Sequence, residues 1–297
     1  MSQSAPGCAR HSGICRSVAG PCVCQPAAIL LALLALAVAA TAQTPAHAQK
    51  FESRYAISMS GIRVGQSAWT ITFEEDHYSI KASGGSVDIV NVLMRGEGTA
   101  ESAGMVKEGR LMPASFSSSL IEEGKKIDLK MTLSDGTVTN VEDNAPPPEP
   151  DRVPVTDANL REVSDPLSAL LIPNDAADGV MAKEACERTL AIFDGRRRYD
   201  LVLSFKRMGE VHQKEYAGNV LVCNVVLNPI AGHRANSMIM KYVASRRDME
   251  VAFVPIAGTA FLAPFRLTVP TLVGTMTIYT TALKWTAAAP PPAPKAE

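Results

Sequence analysis

Alternation of apolar and polar residues, broken at short intervals by turn residues, most limits what this chain can fold into. Ser67 to Phe73 reads SAWTITF, and Ile127 to Leu133 reads IDLKMTL. A period of two sends successive side chains to opposite faces of a strand. Tyr55 to Met59, Tyr78 to Ala82, Ala114 to Ile121 and Thr137 to Val141 extend the pattern. Between them fall Ser60-Gly61, Glu74-Glu75-Asp76, Glu122-Glu123-Gly124-Lys125 and Ser134-Asp135-Gly136. The Asp-Gly step supplies the positive φ of a tight hairpin. The second half repeats the theme over Glu187 to Phe193, Tyr199 to Phe205, Val220 to Leu227, Ser237 to Ala244, Met249 to Val254, Ala260 to Val269 and Gly274 to Trp285. Antiparallel strands are expected for all of these.

Two short segments read as helices instead. Val87 to Met94 places apolar residues at helical spacing. Asp165-Pro166-Leu167 opens a second, with Asp as cap and Pro at the first helical position, and it stops before Pro173. Asn144 to Asp165, which contains the proline run of Ala145 to Pro150, interrupts the strands. A structureless stretch of this length inside one domain is unusual. Neither half alone is large enough for an independent sandwich, so it reads as a surface excursion from one sheet. The fold predicted is mainly β: a curved antiparallel sheet or incomplete β-barrel with one or two short helices. It forms one domain over 49–286, and the low-complexity tail 287–297 is expected to be disordered.

Residues 27–48 carry an export signal. An unbroken apolar run is followed by small residues and Ala46-His47-Ala48, which predicts cleavage after Ala48. The apolar core from Ala27 to Ala40 is 14 residues long, short of the roughly 20 that a spanning helix requires. The expected product is periplasmic, with no transmembrane anchor. Of the six cysteines only Cys186 and Cys223 lie after the cut. Two cysteines in an oxidising compartment most often pair, here on neighbouring strands. A reactive or metal-binding thiol pair is the weaker alternative, since no C-x-x-C occurs and no histidine stands at ligand spacing. Loss of Arg10 and Arg16 leaves 27 basic against 30 acidic residues, a formal charge of −3. This gives no electrostatic reason to expect nucleic acid.

The order of motifs resembles a known family. An early Y-x-I-x-x-x-G-I-x-V-G segment (Tyr55 to Gly65) is followed by C-x(6)-F-D-G-R-R-R-Y-D (Cys186 to Asp200) and by VLVCNVVLNPIAGHR (Val220 to Arg234). This looks like the bacterial envelope family catalogued as domain of unknown function 3108. The resemblance covers most of the chain after the signal and implies a periplasmic β-rich protein. It carries no catalytic residues over.

No nucleophile elbow, S-x-x-K, dinucleotide fingerprint or P-loop is present. No two of His77, His212 and His233 are at metal-ligand spacing. Neither a catalytic residue, a metal site nor a cofactor is therefore assigned. The candidate ligand-binding residues are Arg196, Arg198, His233 and Arg266. Arg196-Arg197-Arg198 follows the Asp194-Gly195 turn and offers guanidinium forks for a phosphate or carboxylate; the plainer account is a solvated hairpin. His233 is either a binding residue at a loop tip or an ordinary loop histidine. Between Glu250 and Lys284 the only charge is Arg266, and the stretch does not alternate as a sheet with one wet face should. One of its faces either packs into core or lines a cavity for an acyl chain.

The function expected is that of an exported, non-catalytic cell-envelope protein. It would bind an apolar or lipid-like ligand or support envelope integrity through protein partners. The alternatives are a scaffold with a solid core and, less favoured, a hydrolase of envelope polymers.

Overall fold

A computed structural model of the chain describes residues 49–87, 96–122, 124–147, 150–174, 180–214 and 216–287. The signal expected over residues 27–48, the tail 288–297 and all but the first residue of the helix expected over Val87 to Met94 lie outside them.

The strands are β1 Gln49–Met59, β2 Ile62–Glu74, β3 His77–Ser86, β4 Gly96–Lys107, β5 Arg110–Glu122, β6 Lys125–Ser134 and β7 Thr137–Asp143. After the crossing segment come β8 Ile172–Pro173, β9 Arg188–Phe193, β10 Arg198–His212 and β11 Ala217–Ala231. The last three are β12 Met249–Pro255, β13 Phe261–Thr271 and β14 Gly274–Ala287. They form one antiparallel sheet in the order β7-β6-β5-β4-β3-β2-β1-β14-β13-β12-β11-β10-β9, with β8 paired to β13. Asp135 and Gly136 have φ of 46° and 74°, the left-handed pair that the Asp-Gly hairpin requires.

The expectation of strand over Ser237 to Ala244 is wrong. Met238–Ser245 is the α-helix α1, and the Ser237 side chain caps it by accepting from the Met240 amide at 3.2 Å. A local cap decides the conformation where the apolar pattern alone reads either way. Strand β4 was not anticipated, because GEGTAESAGMVK is rich in residues of low β propensity. Its ladders to β3 and β5 hold it in place. Small residues are needed there: a Cβ on Gly104 would collide with the Met112 carbonyl, and one on Gly98 would meet Leu120.

One face of the sheet carries the main core, and Val220, Val222, Val254 and Phe265 form a smaller buried cluster on the other. Phe51, Ile71, Tyr78, Ile80, Phe116 and Met131 are buried on the main-core face in the β1–β7 half. Leu203, Leu221, Val225, Val251 and Phe253 continue it across β10–β12. The ladder itself does not close, but its two edge strands are brought together. Val163 donates its amide to the Gly136 carbonyl of the β6–β7 turn at 2.9 Å. The next residue, Ser164, bonds Ala191 at 2.9 Å and Phe193 at 3.0 Å on β9.

Among its described residues the crossing segment that makes these bonds has none buried from Asn144 to Glu162, and it leaves the surface only from Val163. It first pairs with the loop after β11, through Val153 and His233 at 2.9 Å and Val153 and Gly232 at 2.8 Å. It then turns inward, and Val163, Asp165, Leu167 and Leu171 are buried against the inner face. Its expected helix is one 3-10 turn, Ser168–Leu170.

Candidate lumen site

The inner face and the inward segment enclose a cavity of about 240 Å³. Its wall comes from Tyr55 and Ile57 of β1, Trp69 of β2, Leu190 of β9, Leu201 and Leu203 of β10, Val225 of β11, Val251 and Phe253 of β12, and Leu267 of β13. Leu170 of the inward turn closes one side. The register explains the grouping: Leu203 faces Val225, Val251 faces Leu267, and Leu267 faces Ile278. Cross-strand partners share a face, so one apolar stripe runs across β10 to β14. The polar residues of this wall are Tyr55, Ser67 and Arg266. The Tyr55 hydroxyl donates to the Pro264 carbonyl at 2.7 Å, and burial pushes its pKa up to about 12. It is therefore an uncharged, satisfied donor.

The cavity shares Ile57, Ser67 and Trp69 with a wider opening of about 1390 Å³. Gly65, Gly84, Gly85, Gly96 and Gly98 line this mouth together with Leu120, Ile127 and Leu167. Missing side chains at the ends of β2, β3 and β4 leave the lumen wall thin there.

A sealed polar network fixes the inward segment. Asp165 Oδ1 accepts from the amides of Leu167 at 2.8 Å and Ser168 at 3.1 Å. Its Oδ2 accepts from the Ser102 hydroxyl of β4 at 2.8 Å. Ser102 also meets Ser168 at 2.8 Å, and Ser168 meets the Tyr78 hydroxyl at 2.7 Å. Burial raises the pKa of Asp165, opposed by the bonds from Ser168, Ser102 and Leu167. Asp165 is 0% exposed and the other three side chains are buried, so the network latches the segment to the wall. Sequence reading found Asp165 only as a helix cap. Nothing in the sequence around Ser102 or Tyr78 marks them as its partners.

The candidate residues fall in two places. Arg196 is at the wide mouth with Arg197. Arg198 begins β10 opposite Ala231, two residues before His233. Gly232, at φ +77°, lies so close that a Cβ there would strike the Arg196 carbonyl. The turn and the His233 loop are thus in contact. Each arginine already has a carboxylate: Arg196 reaches Asp143 at 3.1 Å, Arg197 reaches Asp194 at 2.9 Å, and Arg198 reaches Asp200 at 2.6 Å. The Arg196 guanidinium holds the Asp143 carboxyl below its usual pKa.

Arg266 stands apart from that turn: it lines the apolar cavity beside Leu267 and also the outer side of the sheet. It pairs with Ala252 on β12 and Tyr279 on β14, and these three line a groove of about 660 Å³ with Arg207, Val222 and Phe265. Val222 alternates with Leu221 and Cys223, which belong to the inner core. The groove is therefore on the opposite face from the lumen, and that region of the sheet is apolar on both sides.

Cys186 and Cys223 are joined, with Cα atoms 5.5 Å apart. They are not on neighbouring strands. Cys186 ends the 3-10 turn Lys183–Cys186 ahead of β9, and β10 separates β9 from β11, where Cys223 lies. Among the described residues no group of His, Cys, Asp or Glu could hold a metal ion. No described helix is long and apolar enough to cross a membrane.

No curated protein matches the chain. A solved structure similar to it is a beta-barrel-like protein of domain of unknown function DUF1849 from Brucella abortus. The two are 10% identical with a TM-score of 0.44, over 80% of this chain and 98% of that one. A family model described as protein of unknown function (DUF3108) matches residues 54–281. With three-quarters of its length inside that match, the chain belongs to the DUF3108 family.

Proposed function

We propose that this is an exported cell-envelope protein that holds an apolar or lipid-like ligand in its lumen without transforming it. The observation that carries the reading is the apolar cavity between Leu170 and the β10–β12 wall. Small-molecule sites are concave and mainly apolar with few polar groups, and Ser67 and Arg266 are the polar side chains of the lining besides the satisfied Tyr55. The wide mouth gives a chain-like ligand a way in past the glycines of β2–β4. The apolar run of residues 27–40, followed by Ala46-His47-Ala48, supports export to the periplasm. Native mass spectrometry of the exported protein, before and after organic extraction, tests this. An extractable mass of lipid size is expected, and a protein that carries none and takes up none on incubation with fatty acids contradicts the reading.

A further inference from the structure

We propose that the paired β1–β2 and β13–β14 turns form a tip that docks this protein on an anionic lipid bilayer. The inference is independent of whether the lumen carries a ligand. Ile62 opens β2, and Leu272 and Val273 form the turn between β13 and β14. They are 70%, 54% and 79% exposed. The Ser60 amide donates to the Thr275 carbonyl at 2.8 Å, so the two turns are one unit and their apolar side chains project together.

Cations stand behind this tip. Arg63 follows Ile62 and bonds the neutral Gln66 at 3.0 Å. The Arg266 side chain makes no hydrogen bond or ion pair among the described residues, and besides lining the lumen cavity it shares the outer groove with Gly61 of the tip. Tyr279 lies opposite Arg266 and is part exposed. Of the acids of that groove, Glu250 is neutralised by two cations. Glu250 pairs with Lys206 at 2.8 Å and Arg207 at 3.4 Å, and Glu210 contacts His212 at 3.2 Å. Apolar prongs backed by guanidinium groups and a tyrosine match the layers of a membrane surface: acyl boundary, headgroups and interface. Size favours lipid over a protein partner. Three side chains on two turns fall far short of the roughly 800 Å² that each side of a stable protein interface buries.

Flotation of the signal-free full chain with vesicles tests the proposal. Vesicles of phosphatidylglycerol and phosphatidylcholine in equal parts are compared with phosphatidylcholine alone. The protein should float with the anionic vesicles, and salt should weaken the association. Ile62→Ser/Leu272→Ser/Val273→Ser should cut binding by about ten-fold or more, and Arg63→Gln/Arg266→Gln by a similar factor. Both sets lie at exposed positions, and an unchanged melting temperature verifies their folds. Val273→Trp gives a second readout, since its emission should shift to the blue on anionic vesicles only. Failure to float, equal flotation with neutral vesicles, or binding that survives the tip substitutions overturns the proposal. So does self-association through the tip, seen as a sedimentation coefficient that the triple substitution lowers.

Discussion

Ser102 and Asp165 meet at 2.8 Å between strand β4 and the segment that turns into the lumen. Their separation along the chain is 63 residues, and their bond fixes where the cavity ends. Leu167 and Leu170, on the turn that Asp165 begins, line the wide mouth and the apolar cavity respectively. A polar latch in an apolar interior thus positions the two residues that divide the lumen.

Removing the latch should be costly. Asp165→Ala leaves the Ser102 hydroxyl and two backbone amides without their acceptor, and a loss of roughly 3 kcal/mol is expected. Asp165→Asn keeps the amide acceptor and behaves differently with pH. Burial raises the Asp165 pKa, so the folded state binds its proton more tightly than the unfolded state does. The stability this contributes is full below the unfolded value of about 3.9 and is lost as pH rises through the raised folded value. Denaturant titrations from about pH 4 to pH 7 should show Asp165→Asn gaining on the wild type as pH rises. A constant difference would contradict the burial argument.

The disulfide closes a loop with a sequence separation of 37, for which the chain-entropy model gives roughly 3–4 kcal/mol. Both sulfurs are fully buried, so the bond also holds the lead-in to β9 beneath β10. Cys186→Ser/Cys223→Ser should lower unfolding stability by that amount in guanidinium titrations. The wild type should show no alkylatable thiol until reduced and unfolded.

Gly232 permits the contact between the arginine turn and the His233 loop. At φ +77° a side chain is strained, and the Arg196 carbonyl occupies the space of a Cβ. Gly232→Ala should therefore cost about 2 kcal/mol or more. Protease nicking after Arg196 or Arg197 should accelerate with it, because the turn loses its support. Equal nicking rates would show that Asp143 and Asp194 hold the turn without the loop.

Much of the sheet was legible in the chain because alternation and turn chemistry are local. Ile127–Leu133 and the Asp135-Gly136 hairpin needed nothing from elsewhere in the fold. Strand β4 was hidden because its glycines and alanines answer to neighbours on β3 and β5. Helix α1 was misread because MIMKYVAS is apolar enough for a strand and its cap is one serine. The apolar double face of β12–β13 was visible as a failure to alternate, and its two readings as core and as cavity both have a place: Leu262 packs in the core and Val251 also lines the cavity. The latch was beyond reach, since Ser102, Tyr78, Asp165 and Ser168 come together only through folding. Arg266 was legible only as a lone charge; folding places it on the wall of the apolar cavity beside Leu267 as well as in the outer groove.

The central claim is that the cavity behind Leu170 takes an apolar chain. Leu190 lines it from the edge strand β9 and is half-buried, so Leu190→Trp should fill the space with an overpacking cost of about 1–3 kcal/mol at most. The most direct measurement is equilibrium titration of the extracted, signal-free chain with a fluorescent fatty acid. Saturable one-to-one binding by the wild type, weakened at least about ten-fold in a folded Leu190→Trp variant, is the result predicted. A wild type that does not bind, or a variant that binds equally well, would contradict the account.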